Sequence, residues 1–242
     1  MRQGQLVYVM GASGSGKDSL LQALRPRLRG VPVAFARRYI TRPLSAKGER
    51  HIAVSPERFE AMAASGEFVM DWRSHGLRYG IGKGVETTLA HGGMVLMNGS
   101  REYLPEALRR FPSLVPVLVE VDASVLRARL LARGREPGGD IEERIARASM
   151  PAEYPDGVLR IDNSGELAES TAAFYRMVAR LIEEKTDFRQ DNGSGILSRQ
   201  FILLPNGKGS GSFLFSCIKR KPPARREVPK SLQLCICYKN SF

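Results

Sequence analysis

Cysteine is missing from the first 189 residues of this 242-residue chain. A disulfide framework is excluded there, and the cytoplasm is the compartment expected. Long apolar runs are missing too. None reaches the ~18 residues that a membrane-spanning helix needs. The apolar start, Leu6–Met10, is too short for the core of a signal peptide and runs straight into a glycine-rich loop. Zinc-binding side chains are scarce: there are 3 His, and the 3 Cys, Cys217, Cys235 and Cys237, form no C-x-x-C, so a zinc site is not expected. Hydrophobic residues make up 43% of the chain, enough for a core, which excludes global disorder. The net charge of +12, carried mostly by Arg, suits an anionic ligand. Nucleic acid, a membrane surface and phosphorylated metabolites all meet that description.

Residues 1–186 alternate short apolar runs with amphipathic, Arg-rich stretches. Gln5–Met10 reads as a buried strand and Lys17–Arg25 as the helix after it. Val33–Tyr39 reads as a second strand. Ser55 and Pro56 are an N-cap and first helical residue, opening a helix to about Ala64. Gly93–Asn98 and Leu114–Val121 are further buried strands, each followed by a helix. Asp140 and Glu143 form a capping-box pattern for a helix over Ile141–Ser149. Val158–Ile161 and Glu166–Lys185 give a last strand and a long closing helix. Strands alternating with helices predict an α/β fold with a doubly wound parallel sheet.

This pattern stops after Phe188. Asn192–Gly195 and Asn206–Ser212 are rich in Gly, Ser and Asn, and Lys219–Arg226 is strongly basic. From Gln190 to Phe242 there are nine Lys/Arg against two Asp/Glu, which supplies +7 of the +12. The expected organisation is a folded domain over 1–188 and a disordered basic tail over 189–242. Weak polyanion binding is the one nucleic-acid role expected of that tail. No pattern sets an oligomeric state.

The segment Gly11-Ala12-Ser13-Gly14-Ser15-Gly16-Lys17 fits G-x-x-x-x-G-K between a predicted strand and helix. Glycines let the backbone wrap phosphate oxygens with its N–H groups, the helix N-terminus adds partial positive charge, and Lys17 reaches the β/γ-phosphates. A glycine-rich turn with an unrelated lysine is the plainer alternative, and the strand and helix context disfavours it. ATP is the expected ligand of Gly11–Ser19. The residue after the lysine, usually the hydroxyl that ligates Mg²⁺, is Asp18, with Ser19 next. A carboxylate beside triphosphate needs a cation between them. Asp18 is therefore either a Mg²⁺ ligand, direct or through water, or a helix-start acid facing away; the first is the reading taken forward.

From here the order of motifs over residues 5–186 resembles the guanylate kinases and their relatives. Ile40-Thr-Arg-Pro43 with Gly48-Glu49 resembles their acceptor-phosphate segment, Arg42 matching its first arginine and Lys47 lying beside the position of its second. His51 stands where the family has a phosphate-binding tyrosine, and Tyr79-Gly80 matches a family pair. Leu130–Gly134 and Ile141–Arg144 resemble the mobile arginine lid, so the resemblance implies catalytic roles for Arg133 and Arg144 beside Lys17. Asn163 matches the Asn near the adenine site.

The guanine-reading groups are absent. Met70 occupies the position of the family's Glu, and the acidic segment after its third strand reads Met97-Asn98-Gly99-Ser100-Arg101. Buried donors of guanine left unpaired are expensive, which disfavours GMP. Asp71–Ile81, Asn98–Arg101 and the Gly-Lys-Asp-Ser of the loop together resemble the ribose 1,5-bisphosphate phosphokinases, a branch of these relatives. That resemblance implies ATP and Mg²⁺ as cofactors, a small phosphorylated sugar as acceptor, 5-phosphoribosyl 1-diphosphate as product, and a small acceptor-binding insertion in the fold. It also implies a place in phosphonate breakdown.

An acceptor with two phosphates needs cations at both ends. Arg38, Arg42 and Lys47 are candidates for one, and Arg73, Arg78 and Arg101 for the other; Asn98 and Ser100 are candidates for the sugar hydroxyls. His51 either binds phosphate as imidazolium or packs. His75 and Asp71 read as structural hydrogen-bonding groups, and His91 as a helix-end residue. Guanylate kinase or another small-acceptor kinase is the second reading. A non-catalytic interaction module is the third, and the intact Gly16-Lys17 speaks against it.

Overall fold

The computed structural model describes residues 4–43, 51–74, 76–133, 138–149 and 153–187. The chain divides into two compact units, Met1–Val178 and Ala179–Phe242. The tail of 189–242 lies outside the described residues.

The first unit is built on a five-stranded parallel sheet. Its strands are β1 (Gln5–Gly11), β2 (Val33–Phe35), β7 (Met94–Asn98), β8 (Val115–Glu120) and β9 (Leu159–Asp162), in the order β2-β7-β1-β8-β9. β1 pairs with β7 on one side and β8 on the other. It is covered on both faces, and this is why Leu6–Met10 is a continuous apolar run rather than an alternating one. All five residues of β7 are buried for the same reason.

A second, four-stranded sheet has the order β4-β3-β6-β5, from β3 (Arg38–Ile40), β4 (Ile52–Ala53), β5 (Phe68–Ser74) and β6 (Leu77–Gly82). It is the predicted insertion. β5 and β6 form an antiparallel hairpin in which Ser74 faces Leu77, and Gly76 takes the left-handed conformation, φ 72°, that so tight a turn requires. The predicted strand over Val33–Tyr39 is thus two strands. Val33–Phe35 joins the parallel sheet, and Arg38–Ile40 joins the second one. The hairpin was not anticipated, because Phe68–Trp72 is buried at four of five positions and lacks strict alternation.

The helices are α1 (Lys17–Leu24), α2 (Pro56–Ala64), α3 (Gly84–Ala90), α4 (Leu104–Arg110), α5 (Ala123–Arg133), α6 (Gly138–Ser149) and α7 (Leu167–Asp187). α2 begins as expected, with Ser55 Oγ accepting the Arg58 N–H at 3.2 Å and Pro56 in the first turn. α6 begins two residues before Asp140, so Asp140 lies inside the helix rather than capping it. His91 caps α3, its Nδ1 lying 2.7 Å from the Thr87 carbonyl. Among the described residues no helix is long and apolar enough to cross a membrane.

Trp72 ties the hairpin to the main core. Its ring stacks on Tyr79 (centroids 5.5 Å, 9°) and on Tyr103 (5.2 Å, 25°), in one apolar cluster with Leu6, Tyr8, Met10 and Met97.

Candidate active site

Parallel pairing places the carboxyl ends of β1, β7, β8 and β9 on one edge of the sheet, where open α/β sheets hold ligands. The loop Gly11–Gly16 leaves β1 there and delivers Lys17 to the first turn of α1. Gly11, Gly14 and Gly16 have φ of 151°, 96° and 87°. Side chains would also collide: a Cβ on Gly11 would lie 2.4 Å from the Val119 carbonyl oxygen, and one on Gly16 would lie 2.3 Å from Asn163 Nδ2. The loop is therefore pressed against β8 and against the turn that follows β9. Lys17 Nζ donates to the carbonyls of Gly11 and Ala12, both at 2.8 Å, which holds the ammonium over the loop. Ala12 packs on the Leu126, Leu130 and Ile141 cluster of α5 and α6, Ser15 is wholly buried, and Ser13 and Ser19 are exposed.

Asn163 is 1% exposed. Its Nδ2 donates to the Ser15 carbonyl at 2.7 Å, and its backbone N–H donates to Glu120 O at 2.9 Å. The residue expected beside adenine thus underpins the phosphate loop. Its turn is fixed by Asp162, whose Oδ1 accepts from Ser164 N–H at 2.9 Å and Ser164 Oγ at 2.6 Å. These bonds hold the Asp162 carboxyl below the usual range. Ser164 Oγ in turn accepts the Asp122 N–H at 2.9 Å, joining the turns after β8 and β9.

On the other side of the loop, Asp18 Oδ1 accepts a hydrogen bond from Asn98 Nδ2 and lies 3.8 Å from Arg38 Nη2. Asn98 ends β7; it is 5% exposed, and its Oδ1 is buried without a partner. The Arg38 guanidinium lies over the Tyr79 ring, 5.3 Å from the centroid. Next along the chain, the Tyr8 hydroxyl donates to Ser100 O and accepts Ser100 N–H, each at 2.9 Å, so that Ser100 is fixed through its backbone. Burial pushes the Tyr8 phenol well above its ordinary value, which keeps it protonated and able to donate.

Arg42 is half-buried with its Nε unpartnered, and its carbonyl lies 2.9 Å from His51 Nε2. A carbonyl only accepts, so Nε2 carries a proton, and His51, 2% exposed, fixes the Arg42 backbone. Arg101 Nη1 reaches the Ala148 carbonyl on α6 at 3.5 Å, and Arg144 lies half-buried on that helix. Arg133 ends α5; its side chain lies outside the described residues, as do Lys47, Gly48, Glu49, His75 and Gly134.

Two expectations change. Arg78, offered as a ligand for the second phosphate, is engaged by carboxylates: Nη1 donates to Glu60 and Nη2 to Asp71 at 3.2 Å, with the guanidinium 4.9 Å from the Phe59 centroid. Arg73 is 78% exposed, 3.9 Å from Glu60. Both are held in ion pairs between the hairpin and Glu60 of α2, with Asp71 of β5 as a second partner for Arg78. One arginine was missed: Arg129 Nη1 is buried without a partner, and it is 3.6 Å from where a Cβ on Gly16 would stand. Its spacing, four residues before Arg133 on one helix, was the available signal. Met70 is wholly buried in the core and has no polar atom with which to read a base. Among the described residues no three His, Cys, Asp or Glu group as a metal cluster.

No protein-family model matches the chain. Among curated proteins it is 53% identical to the ribose 1,5-bisphosphate phosphokinase PhnN of Thiobacillus denitrificans over 169 residues, 69% of this chain and 88% of the relative. It is 48% identical to the protein of that name from Desulfomicrobium baculatum, covering 72% of this chain and 94% of that one. Among solved structures it resembles the guanylate kinase of Anaplasma phagocytophilum, with a TM-score of 0.54 at 14% identity over 74% of this chain and 87% of that one, a likeness of fold. About half identical to these relatives over the aligned residues, which span 88% and 94% of their length, the chain belongs to the ribose 1,5-bisphosphate phosphokinase family.

Proposed function

We infer that the protein transfers the terminal phosphoryl group of ATP to ribose 1,5-bisphosphate, giving 5-phospho-α-D-ribose 1-diphosphate and ADP, in phosphonate breakdown. The observation that carries the acceptor assignment is the 53% identity across 88% of a relative named for this reaction. The site's geometry supports the chemistry. A loop with no room for side chains at Gly11 and Gly16, a lysine held over it and the buried, unpartnered Arg129 Nη1 form a cradle for polyphosphate.

Lys17 and Arg129, with Arg133 and Arg144 of the lid, meet the charge on the transferring group. Arg38 and Arg42 take an acceptor phosphate; His51 acts by holding the Arg42 backbone, and Tyr79 by supporting Arg38. Arg101 takes the second acceptor phosphate, while Ser100 and Asn98 line the sugar. Gly11–Ser19 hold the nucleotide phosphates, with Asn163 acting through the loop backbone. Asp18 is the chain's ligand for Mg²⁺, which neutralises phosphate charge when bound. An oxygen of the acceptor's 1-phosphate attacks the terminal phosphorus of ATP, and the bond to the ADP oxygen breaks. The acceptor oxygen is already anionic at neutral pH, so no general base is needed. Absence of cysteine through residue 189 suits work in the cytoplasm.

Product identification tests this reading. ³¹P NMR after incubation with ATP, Mg²⁺ and ribose 1,5-bisphosphate should show a new 1-diphosphate. With GMP the rate should be lower by ~10⁴-fold, because a site lacking the guanine acceptors leaves that base's donors unpaired. Efficient turnover of GMP with none of ribose 1,5-bisphosphate would replace this reading by guanylate kinase.

A further inference from the structure

Asn98 has a partner that the acceptor reading does not use. In P-loop enzymes generally the magnesium is shared by a hydroxyl directly after the loop lysine and an acid at the end of a nearby strand. Here the two chemistries stand at each other's positions. The residue after Lys17 is the acid, Asp18, and the strand-end residue facing it is the amide Asn98, at the carboxyl end of β7 beside β1. The two are hydrogen-bonded directly, Asn98 Nδ2 to Asp18 Oδ1.

We propose that Asp18 and Asn98 are one metal-holding unit in which carboxylate and neutral partner have exchanged places between helix and strand, keeping a single negative charge for the divalent cation. Two observations carry this. First, the hydrogen bond fixes the Asp18 carboxylate at the phosphate loop while the side chain stays 36% exposed and open to a cation. Second, Asn98 is 5% exposed with its Oδ1 buried and unpartnered, an acceptor oxygen beside that carboxylate with nothing donating to it. An amide carbonyl suits a hard cation or one of its waters. The single acid in the first turn of α1 is also favoured by the helix N-terminus. Arg38, 3.8 Å from Asp18, counters the charge from the acceptor side, so the unit also joins the two halves of the site. Asn98 then acts twice, its Nδ2 orienting Asp18 and its Oδ1 offering a second oxygen to the cation or one of its waters. Part of this rests on the proposed kinase reading, which supplies the reason for a metal at the loop.

The test measures Mn²⁺ binding to the protein–ADP complex by electron paramagnetic resonance, with circular dichroism to confirm folding. In wild type, Mn²⁺ should bind with ADP. Asp18→Asn, which keeps the shape and removes the charge, should weaken Mn²⁺ at least ~10–100-fold, the loss that removing a supporting ligand typically causes. The double variant Asp18→Ser with Asn98→Asp restores the common arrangement and should recover Mn²⁺ affinity to within a few-fold of wild type. Unchanged affinity in Asp18→Asn, or a folded double variant no better than that single variant, would overturn the exchange while leaving the kinase reading standing. A wild type that binds ADP but recruits no Mn²⁺ would overturn the metal unit outright. Failure to bind ADP at all would overturn the kinase reading and this inference with it.

Discussion

Lys17 is held by two loop carbonyls at 2.8 Å, and so its charge is fixed over the loop. Preorganised charge of this kind is typically worth ~10²–10³-fold in rate. Lys17→Ala should lose about that much turnover with circular dichroism unchanged; near-normal steady-state activity would remove the phosphate-loop assignment. Gly16→Ala makes a different demand. Its φ of 87° is left-handed, and the new methyl would lie 2.3 Å from Asn163 Nδ2. Asn163 cannot retreat easily, because its own N–H is bonded to Glu120 and its side chain to Ser15. A loss of ~1–3 kcal/mol of stability is expected, together with weakened ATP binding. Thermal melts with and without ATP check both, and equal ATP stabilisation in the two proteins would show that the Gly16–Asn163 packing is incidental.

At the scale of elements, the hairpin of β5 and β6 depends on Trp72, which is sandwiched between Tyr79 from β6 and Tyr103 before α4. Trp72→Ala should cost ~3–5 kcal/mol in urea unfolding, the usual range for a buried aromatic truncated to Ala. It should also raise the KM for the acceptor more than that for ATP, since Tyr79 supports Arg38. Equal effects on both substrates would mean that the stack only adds stability. The loop Asn98–Arg101 depends on a glycine in the same way. A Cβ on Gly99 would lie 2.0 Å from the Tyr8 ring, whose hydroxyl fixes Ser100. Gly99→Ala should therefore lower the acceptor's kcat/KM while leaving ATP binding near normal, as titration calorimetry would show.

For the whole molecule, we propose that catalysis resides in residues 1–188 and that the basic tail is dispensable for it. The sheet is complete at β9, and the strand-and-helix alternation ends with α7. Deleting 190–242 should leave kcat unchanged and the melting temperature within a few degrees. The removed segment carries +7 of the +12 net charge, so any weak polyanion binding should go with it, and in the full chain that binding should vanish at moderate salt. A large fall in melting temperature on truncation would show instead that the tail packs on the folded unit.

How much of this was written in the chain order follows from the range of the forces involved. Buried parallel strands need continuous apolar runs, so Leu6–Met10 and Met94–Asn98 were legible as strands. The phosphate loop was legible because its glycines answer a local backbone demand, visible in Gly11, Gly14 and Gly16. The break after Phe35 was not, because no Gly or Pro interrupts Val33–Ile40 and the two strands are separated by which sheet accepts them. The arginines were told apart by folding alone. Arg73 and Arg78 read like Arg38 in sequence, but pairing of β5 with β6 brings Arg78 to Asp71 and α2 presents Glu60 to both, while packing of α5 sets Arg129 beside the loop. Asp18 and Asn98 are 80 residues apart. Sequence named each as a candidate by its local motif; only parallel pairing of β1 with β7 puts the amide against the carboxylate, because strand register fixes which side chains meet at the sheet's edge.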